Sequence, residues 1–520
     1  MGYKTDLRGR GIGGKKEERM NIKRTKEEIK NTMEAYLKKD AYGAYEIPSI
    51  RQRPVLLLGP PGVGKTQIME QVSRECGIGL VAYTITHHTR QSAIGLPFIS
   101  KRQYGGREFA VTEYTMSEIV SSIYEKMEQT GLKEGILFID EINCVSETLA
   151  PAMLQFLQCK SFGNHKIPEG WVIVAAGNPP EYNKSVREFD VVTMDRVKKI
   201  QVEPDFAVWK EYAYQQGLHG AVVSYLNARK QNFYQMETTV DGRNFATPRG
   251  WEDLSEFIRA YEKMGKPVDR EVVAQYIQFP KIAKDFANYL ELYGKYQTDY
   301  QLEEIFQGHL DEILLKKIAH ASFDERLSVL GLILSRVNEE LKGAVQWEEY
   351  MEMLQSCLLG FQELVEAATG NMDGHQLFST VCEKLNKEYI KKKKAELLSR
   401  EDDKQYRRVS SAMEGFQQAL KLELLADPLK ALKRIKELFG KENEGFEKQQ
   451  ESAGLALEYA FDFLEGAFGA GQELVMFITE LNSNYYSVKF LQDCGCQRYY
   501  QYNQELLFDE KRRKLLERLQ

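Results

Sequence analysis

The sequence predicts a three-layer α/β domain on a parallel sheet of five strands, followed by a region that is entirely helical. Three observations carry this. The runs Val55–Leu58, Leu80–Ile85, Ile136–Ile139, Val172–Ala176 and Ile200–Val202 are apolar at successive positions, as strands covered on both faces require. Helix-like stretches separate them, which suits parallel crossover connections. After Asp205 the strand signal fades, and amphipathic segments rich in Leu, Glu and Lys replace it.

Residues 1–24 read as a basic, Gly-rich disordered tail, within which Met20 offers an alternative start. The α/β domain is expected over 25–204. Thr25-x-x-Glu28 reads as a capping box for a first helix with Ile29, Met33, Tyr36 and Leu37 on one face, and Pro48 ends that region. Two insertions interrupt the strand–helix alternation. Phe98–Tyr104 and Arg107–Tyr114 flank Gly105-Gly106, which predicts a hairpin with a tight turn, and a second hairpin is expected around Gly163-Asn164. A helical lid is expected over 205–298 and a C-terminal helical domain over 299–520. There Asp427-Pro428 opens a helix with Leu429, Leu432, Ile435 and Phe439 on one face and Gly440 as its stop. Lys391–Arg408 is charge-dense and reads as a solvated helix face or a linker.

Composition narrows the function classes. A chain of 520 residues predicts two or three domains, and 28% charged with 43% hydrophobic residues is ordinary for a globular protein. The formal net charge of −6 argues against a dedicated nucleic-acid binder. No stretch reads as a membrane span; the nearest, Ala456 to Ile478, is interrupted by Glu458, Asp462, Glu465 and Glu473 and reads as a packed amphipathic helix. Seven cysteines in so long a chain imply no disulfide framework. Cys76, Cys144, Cys159, Cys357 and Cys382 read as core thiols, and Cys494-Gly495-Cys496 lacks the second pair a zinc site needs. Nothing near the first residues resembles a secretory leader, and Asp6 spoils a myristoylation pattern. A reduced, cytoplasmic location is expected.

The chemistry begins at Gly59-Pro60-Pro61-Gly62-Val63-Gly64-Lys65-Thr66, a phosphate loop in its required setting between a strand and a helix that starts near Gln67. Glycines let successive backbone N–H groups approach phosphate oxygens, and the helix N-terminus adds partial positive charge. Lys65 is expected on the β- and γ-phosphates and the Thr66 hydroxyl on Mg²⁺. A plain surface turn is the bland alternative. Next, Ile136–Ile139 ends in Asp140-Glu141. Asp140 suits Mg²⁺ at Thr66, directly or through water, and Glu141 can polarise water for attack on the γ-phosphorus. Alternatively the pair only caps a helix. Finally, Val172–Ala176 leads through Gly177 to Asn178, an amide able to hold the attacking water.

This order of phosphate loop, Asp-Glu strand and Asn strand resembles the AAA+ ATPases. Gly95-Leu96-Pro97 with its hairpin, Asn178-Pro179 and Thr247-Pro248-Arg249-Gly250-Trp251-Glu252 are similar to the MoxR group in the helix-2-insert branch. The resemblance covers residues 40 to 290. It implies ATP and Mg²⁺ as ligands and a homo-oligomeric ring, expected to be a hexamer, with active sites between neighbouring subunits. It implies an arginine finger at Arg196, after Asp195, with Arg187 as a rival; Val197 stands where the group commonly has Phe. It makes Arg249 a second sensor of the γ-phosphate. By position only, Phe162 and Tyr104 become candidates for touching a client. The function implied is an ATP-driven chaperone or remodeller of a protein client, partnered by a separate von Willebrand factor A domain protein. The alternative is a motor subunit of a nucleic-acid-directed, restriction-like complex, which the acidic balance disfavours.

Overall fold

A computed structural model describes residues 19–87, 89–182, 189–239, 242–368 and 373–506. The chain divides into two compact units between Pro204 and Asp205.

The first unit is built on a parallel sheet. Its strands are β1 (Arg19–Met20), β2 (Val55–Leu58), β3 (Gly79–Thr84), β4 (Gly135–Asp140), β5 (Trp171–Gly177) and β6 (Lys198–Val202), in the order β1-β6-β2-β5-β4-β3. The successive apolar residues have the expected cause, because alternate side chains enter two different cores. Leu56, Leu137, Ile139, Ile173 and Ala175 pack on one face with Ile119, Val120 and Ile123 of α3 (Glu118–Thr130) and Met153, Phe156 and Leu157 of α4 (Ala150–Cys159). Val55, Leu57, Ile136, Phe138, Val172 and Val174 pack on the other with Ile29 and Met33 of α1 (Ile22–Leu37) and Ile68, Met69 and Val72 of α2 (Lys65–Cys76).

The amino-terminal reading needs correction. Residues 1–18 of the expected tail lie outside the described residues. Residues 19–24 are not tail: Arg19 and Met20 pair with Gln201 and Val202 as a sixth strand, and α1 starts at Ile22. Its cap is Asn21, whose side chain accepts from Arg24 N at 2.9 Å. The expected capping box does not form. Thr25 is inside the helix, buried, with its hydroxyl donating to Asn21 O, while Glu28 accepts from Lys198 Nζ at 2.7 Å.

Both hairpins are present. Pro97–Tyr104 pairs antiparallel with Arg107–Tyr114, and Gly105 (φ 58°) and Gly106 (φ 80°) supply the left-handed turn. Gly95 is required at its base, since a Cβ there would lie 2.1 Å from Thr115 O. Tyr104 is 55% exposed at the tip, and Phe98, Ile99 and Phe109 are also exposed. The second hairpin is only Ser161–Phe162 with His165–Lys166. Phe162 is not a surface residue: it is 3% exposed and stacks on Phe156 with ring centroids 3.9 Å apart. Cys159, expected in a core, is exposed.

In the second unit, the expected boundary at residue 298 falls near the end of helix Pro280–Asp299, inside one continuous core running from Trp209 to Tyr499. Two long helices organise it. Phe323–Ala367 contributes Val329–Val345 to that core and Tyr350–Val365 to a second. Pro428–Phe468 contributes Ala431 and Ile435 to the second core and Ala453–Ala467 to the first, so the two run antiparallel. Helices Gly374–Lys394 and Arg400–Leu422 complete the second core. Asp427 caps its helix as expected, but Gly440 does not stop it. A mid-helix glycine costs about 1 kcal/mol, which packing along a long helix outweighs. The segment expected as one helix over 456–478 is two, broken between Phe468 and Gln472. Among the described residues no helix is long and apolar enough to cross a membrane.

Phe162→Ala should therefore destabilise the first unit by about 3 kcal/mol, the cost of emptying a buried aromatic site. Chemical denaturation checks this; a loss below about 1 kcal/mol would return Phe162 to the surface.

Candidate active site

Parallel strands that end side by side bring their next residues together. Leu58 pairs with Gly177, so the loop after β2 and the turn after β5 start level. The loop Gly59–Thr66 leaves β2, with Gly59 N donating to Gly177 O at 3.3 Å. It turns into α2 through Gly64 at φ 92°, a conformation that a side chain would strain. Lys65 opens α2 but folds back, 8% exposed. Its Nζ donates to Gly59 O at 2.9 Å, to Pro60 O at 2.8 Å and to Asn178 Oδ1 at 3.1 Å. The Thr66 hydroxyl donates to Asp140 Oδ2 at 3.1 Å. Pro61 and Gly62 are half-buried, Val63 packs into the sheet core and Gln67 is exposed on the first turn of α2.

Beyond β4 the chain turns sharply. Glu141 takes φ 56°, the left-handed region, which costs a residue with a Cβ about 1–2 kcal/mol. The turn is held by Glu141 N on Asp140 Oδ1 at 2.9 Å, Ile142 N on Ala176 O at 2.9 Å and Cys144 N on Glu141 O at 2.8 Å. Glu141 Oε2 accepts from the Thr86 hydroxyl at 3.0 Å. Strained backbone held by its surroundings is common where a side chain must be aimed.

The predicted residues thus divide. Gly59–Thr66, Asp140 and Asn178 share one hydrogen-bonded cluster, and Glu141 is the next residue along from Asp140. Arg196 is elsewhere on the unit: it ends the short helix Val191–Arg196, is exposed, and donates to Gln158 Oε1 on α4. Asp190 caps that helix, and hydrogen bonds from Thr193 hold its carboxyl below the usual range. Val197, the next residue, is buried in the core. Arg187 lies outside the described residues. Arg249 belongs to the second unit, exposed in the first turn of Pro248–Lys263, which Thr247 caps. Burial raises the nearby Asp253 carboxyl, and the Arg249 charge opposes that rise.

Two residues carry no motif signal and were not anticipated. Thr86 comes after β3 without any recognisable pattern. Asn143 hides in Asp140-Glu141-Ile142-Asn143 and donates from Nδ2 to Asn178 O at 2.7 Å.

The donor set fits a magnesium triphosphate. Thr66 and Asp140 offer adjacent hard oxygens, which suit Mg²⁺, and Lys65 offers an ammonium beside a turn built on left-handed glycine.

Residues 55–195 match the family model described as ATPase family associated with various cellular activities (AAA), so this stretch of the chain is similar to that family. No curated protein matches the chain. Among solved structures, a provisionally assigned ATPase from Cytophaga hutchinsonii is 15% identical with a TM-score of 0.21, covering 35% of this chain and 46% of that one. C. elegans PCH-2 is 14% identical with a TM-score of 0.23, covering 42% of this chain and 50% of that one. The chain spans about half the length of each, and likeness this low says nothing about activity.

Lys65→Ala should weaken ATP binding by roughly a hundredfold, since a charge-assisted contact to phosphate disappears. Titration with a fluorescent ATP analogue checks this, and unchanged affinity would contradict the loop assignment.

Proposed function

We propose that residues 55–195 form an AAA-family domain that binds ATP with Mg²⁺ and hydrolyses it, powering a ring of six copies that remodels a protein client. One observation supports this most: at the carboxyl ends of three strands, Lys65 is hydrogen-bonded to Asn178 and Thr66 to Asp140. In open parallel sheets ligands sit at that edge.

Each residue then has a physical task. Main-chain amides after Leu58 and the Lys65 ammonium hold the β- and γ-phosphates. Thr66 and Asp140 would hold Mg²⁺, which when bound neutralises charge on the phosphate oxygens. Glu141 accepts a proton from the attacking water, and Asn178 orients that water. Thr86 holds the Glu141 carboxylate aside until nucleotide and neighbour are in place. Arg196, exposed and hydrogen-bonded to Gln158, suits action on the neighbouring subunit's phosphate, where a guanidinium stabilises transferred charge. Arg249 has its sensor role from the family resemblance alone.

The finer reading is a MoxR-like remodeller with a von Willebrand factor A domain partner. It draws support from Gly95, fitted against Thr115, and from a hairpin that exposes Phe98, Ile99, Tyr104 and Phe109 as client-facing side chains. Seven free thiols suit a reducing, cytoplasmic setting.

Glu141→Gln should retain ATP binding while phosphate release falls by about a hundredfold or more, because shape is kept and the base is lost. Near-normal turnover would move the base elsewhere. Arg196→Ala should also stop hydrolysis without stopping binding. Rings mixing it with Glu141→Gln subunits should regain activity, since each subunit supplies what its neighbour lacks; no recovery would exclude Arg196 as a residue acting between subunits.

A further inference from the structure

Asn143 stands outside the motif residues yet is only 4% exposed beside them. Its Nδ2 donates to the Asn178 main-chain oxygen at 2.7 Å, while its Oδ1 is buried and accepts no hydrogen bond among the described residues. A half-satisfied amide in a core is costlier than an apolar side chain of the same shape. The one gain that offsets this cost is the bond it donates to Asn178 O.

Its surroundings are fitted to it. A Cβ on Gly177 would lie 2.5 Å from Asn143 Oδ1, so the strand end leaves room for this amide. Asn143 itself rides on the turn that carries Glu141, fixed by Ile142 N on Ala176 O and Cys144 N on Glu141 O. On the other side, Asn178 precedes Pro179 and Pro180, which have no N–H with which to bind the turn to the sheet. An outside donor has to fix that turn, and Asn143 is placed to do so. The Asn178 side chain then presents Oδ1 to Lys65 Nζ at 3.1 Å.

We propose that Asn143 is a positioning residue: it fixes Asn178, and hence the water Asn178 orients, relative to Glu141. This rests on the ATP-hydrolysis reading above. Asn143 touches neither nucleotide nor water; it acts by holding one main-chain carbonyl so that two strand-end turns move as a unit.

The test compares Asn143→Leu and Asn143→Asp with wild type in the full chain, measuring affinity for a fluorescent ATP analogue, kcat and KM for phosphate release, and cooperative unfolding. Leucine keeps the shape and removes the donor, so kcat should fall about tenfold or more while KM and affinity stay within about threefold. Aspartate can donate to Asn178 O only when protonated. Its kcat relative to wild type should therefore fall as pH rises through an ionisation that the leucine variant lacks. Wild-type-like kcat in Asn143→Leu would overturn the proposal. So would parallel loss of affinity and kcat in both variants without a pH difference, which marks a mere scaffold. If wild type neither binds nor splits ATP, the hydrolysis reading falls and takes the proposal with it; an active wild type with active variants defeats the proposal alone.

Discussion

The site depends on one enclosed cation. Lys65 is nearly out of solvent, and an ammonium moved from water into protein must find oxygens to replace its hydration. It finds two carbonyls of its own loop and the amide of Asn178, and this fixes the loop after β2 against the turn after β5. These three acceptors use all three N–H donors of the ammonium, so Lys65 can take a phosphate only by giving up some of these bonds. The strain at Glu141 belongs to the same arrangement, because the turn that aims it is stitched to β5 through Ala176.

Much of this was legible in the residues. Buried parallel strands have to be apolar at consecutive positions, so all five expected strands appear within two residues of their predicted ends. The glycine turn after β2 and the strand end at Asp140-Glu141 were legible as local structure, because backbone sterics and hydrogen-bond chemistry permit few residue types there. Gly105-Gly106 was readable for the same reason. What escaped notice had no local pattern. Thr86 reaches Glu141 across a gap of 55 residues, and Asn143 reaches Asn178 across 35; such pairs exist only once the sheet has formed. Phe162 was misplaced because a strand of two residues has no measurable alternation, so its inward direction could not be seen. The cap at Asn21 was missed because Asn and Thr are both good caps and the pattern at Thr25 was read first, whereas a helix passing through Gly440 overrides local preference.

The helical unit poses a different physical problem. Its two longest helices each serve two cores, so the two cores share the same backbone rods. Lys210 and Glu480, 2.8 Å apart and both buried, tie helix Phe206–Gln216 to Gln472–Ser483, with Tyr214 and Asn227 satisfying the remaining carboxylate positions. Buried pairs of this kind add little net stability, while removing one partner leaves an uncompensated buried charge.

Everything proposed for the site turns on whether water splits a magnesium-bound triphosphate at these strand ends. The most direct measurement is phosphate release by the purified full-length chain supplied with ATP, in Mg²⁺ and again after chelation, with ATP binding monitored in parallel. Saturable binding with phosphate release that stops on chelation and returns with added Mg²⁺ is the predicted result. A folded chain that neither retains ATP nor releases phosphate at millimolar nucleotide would contradict it.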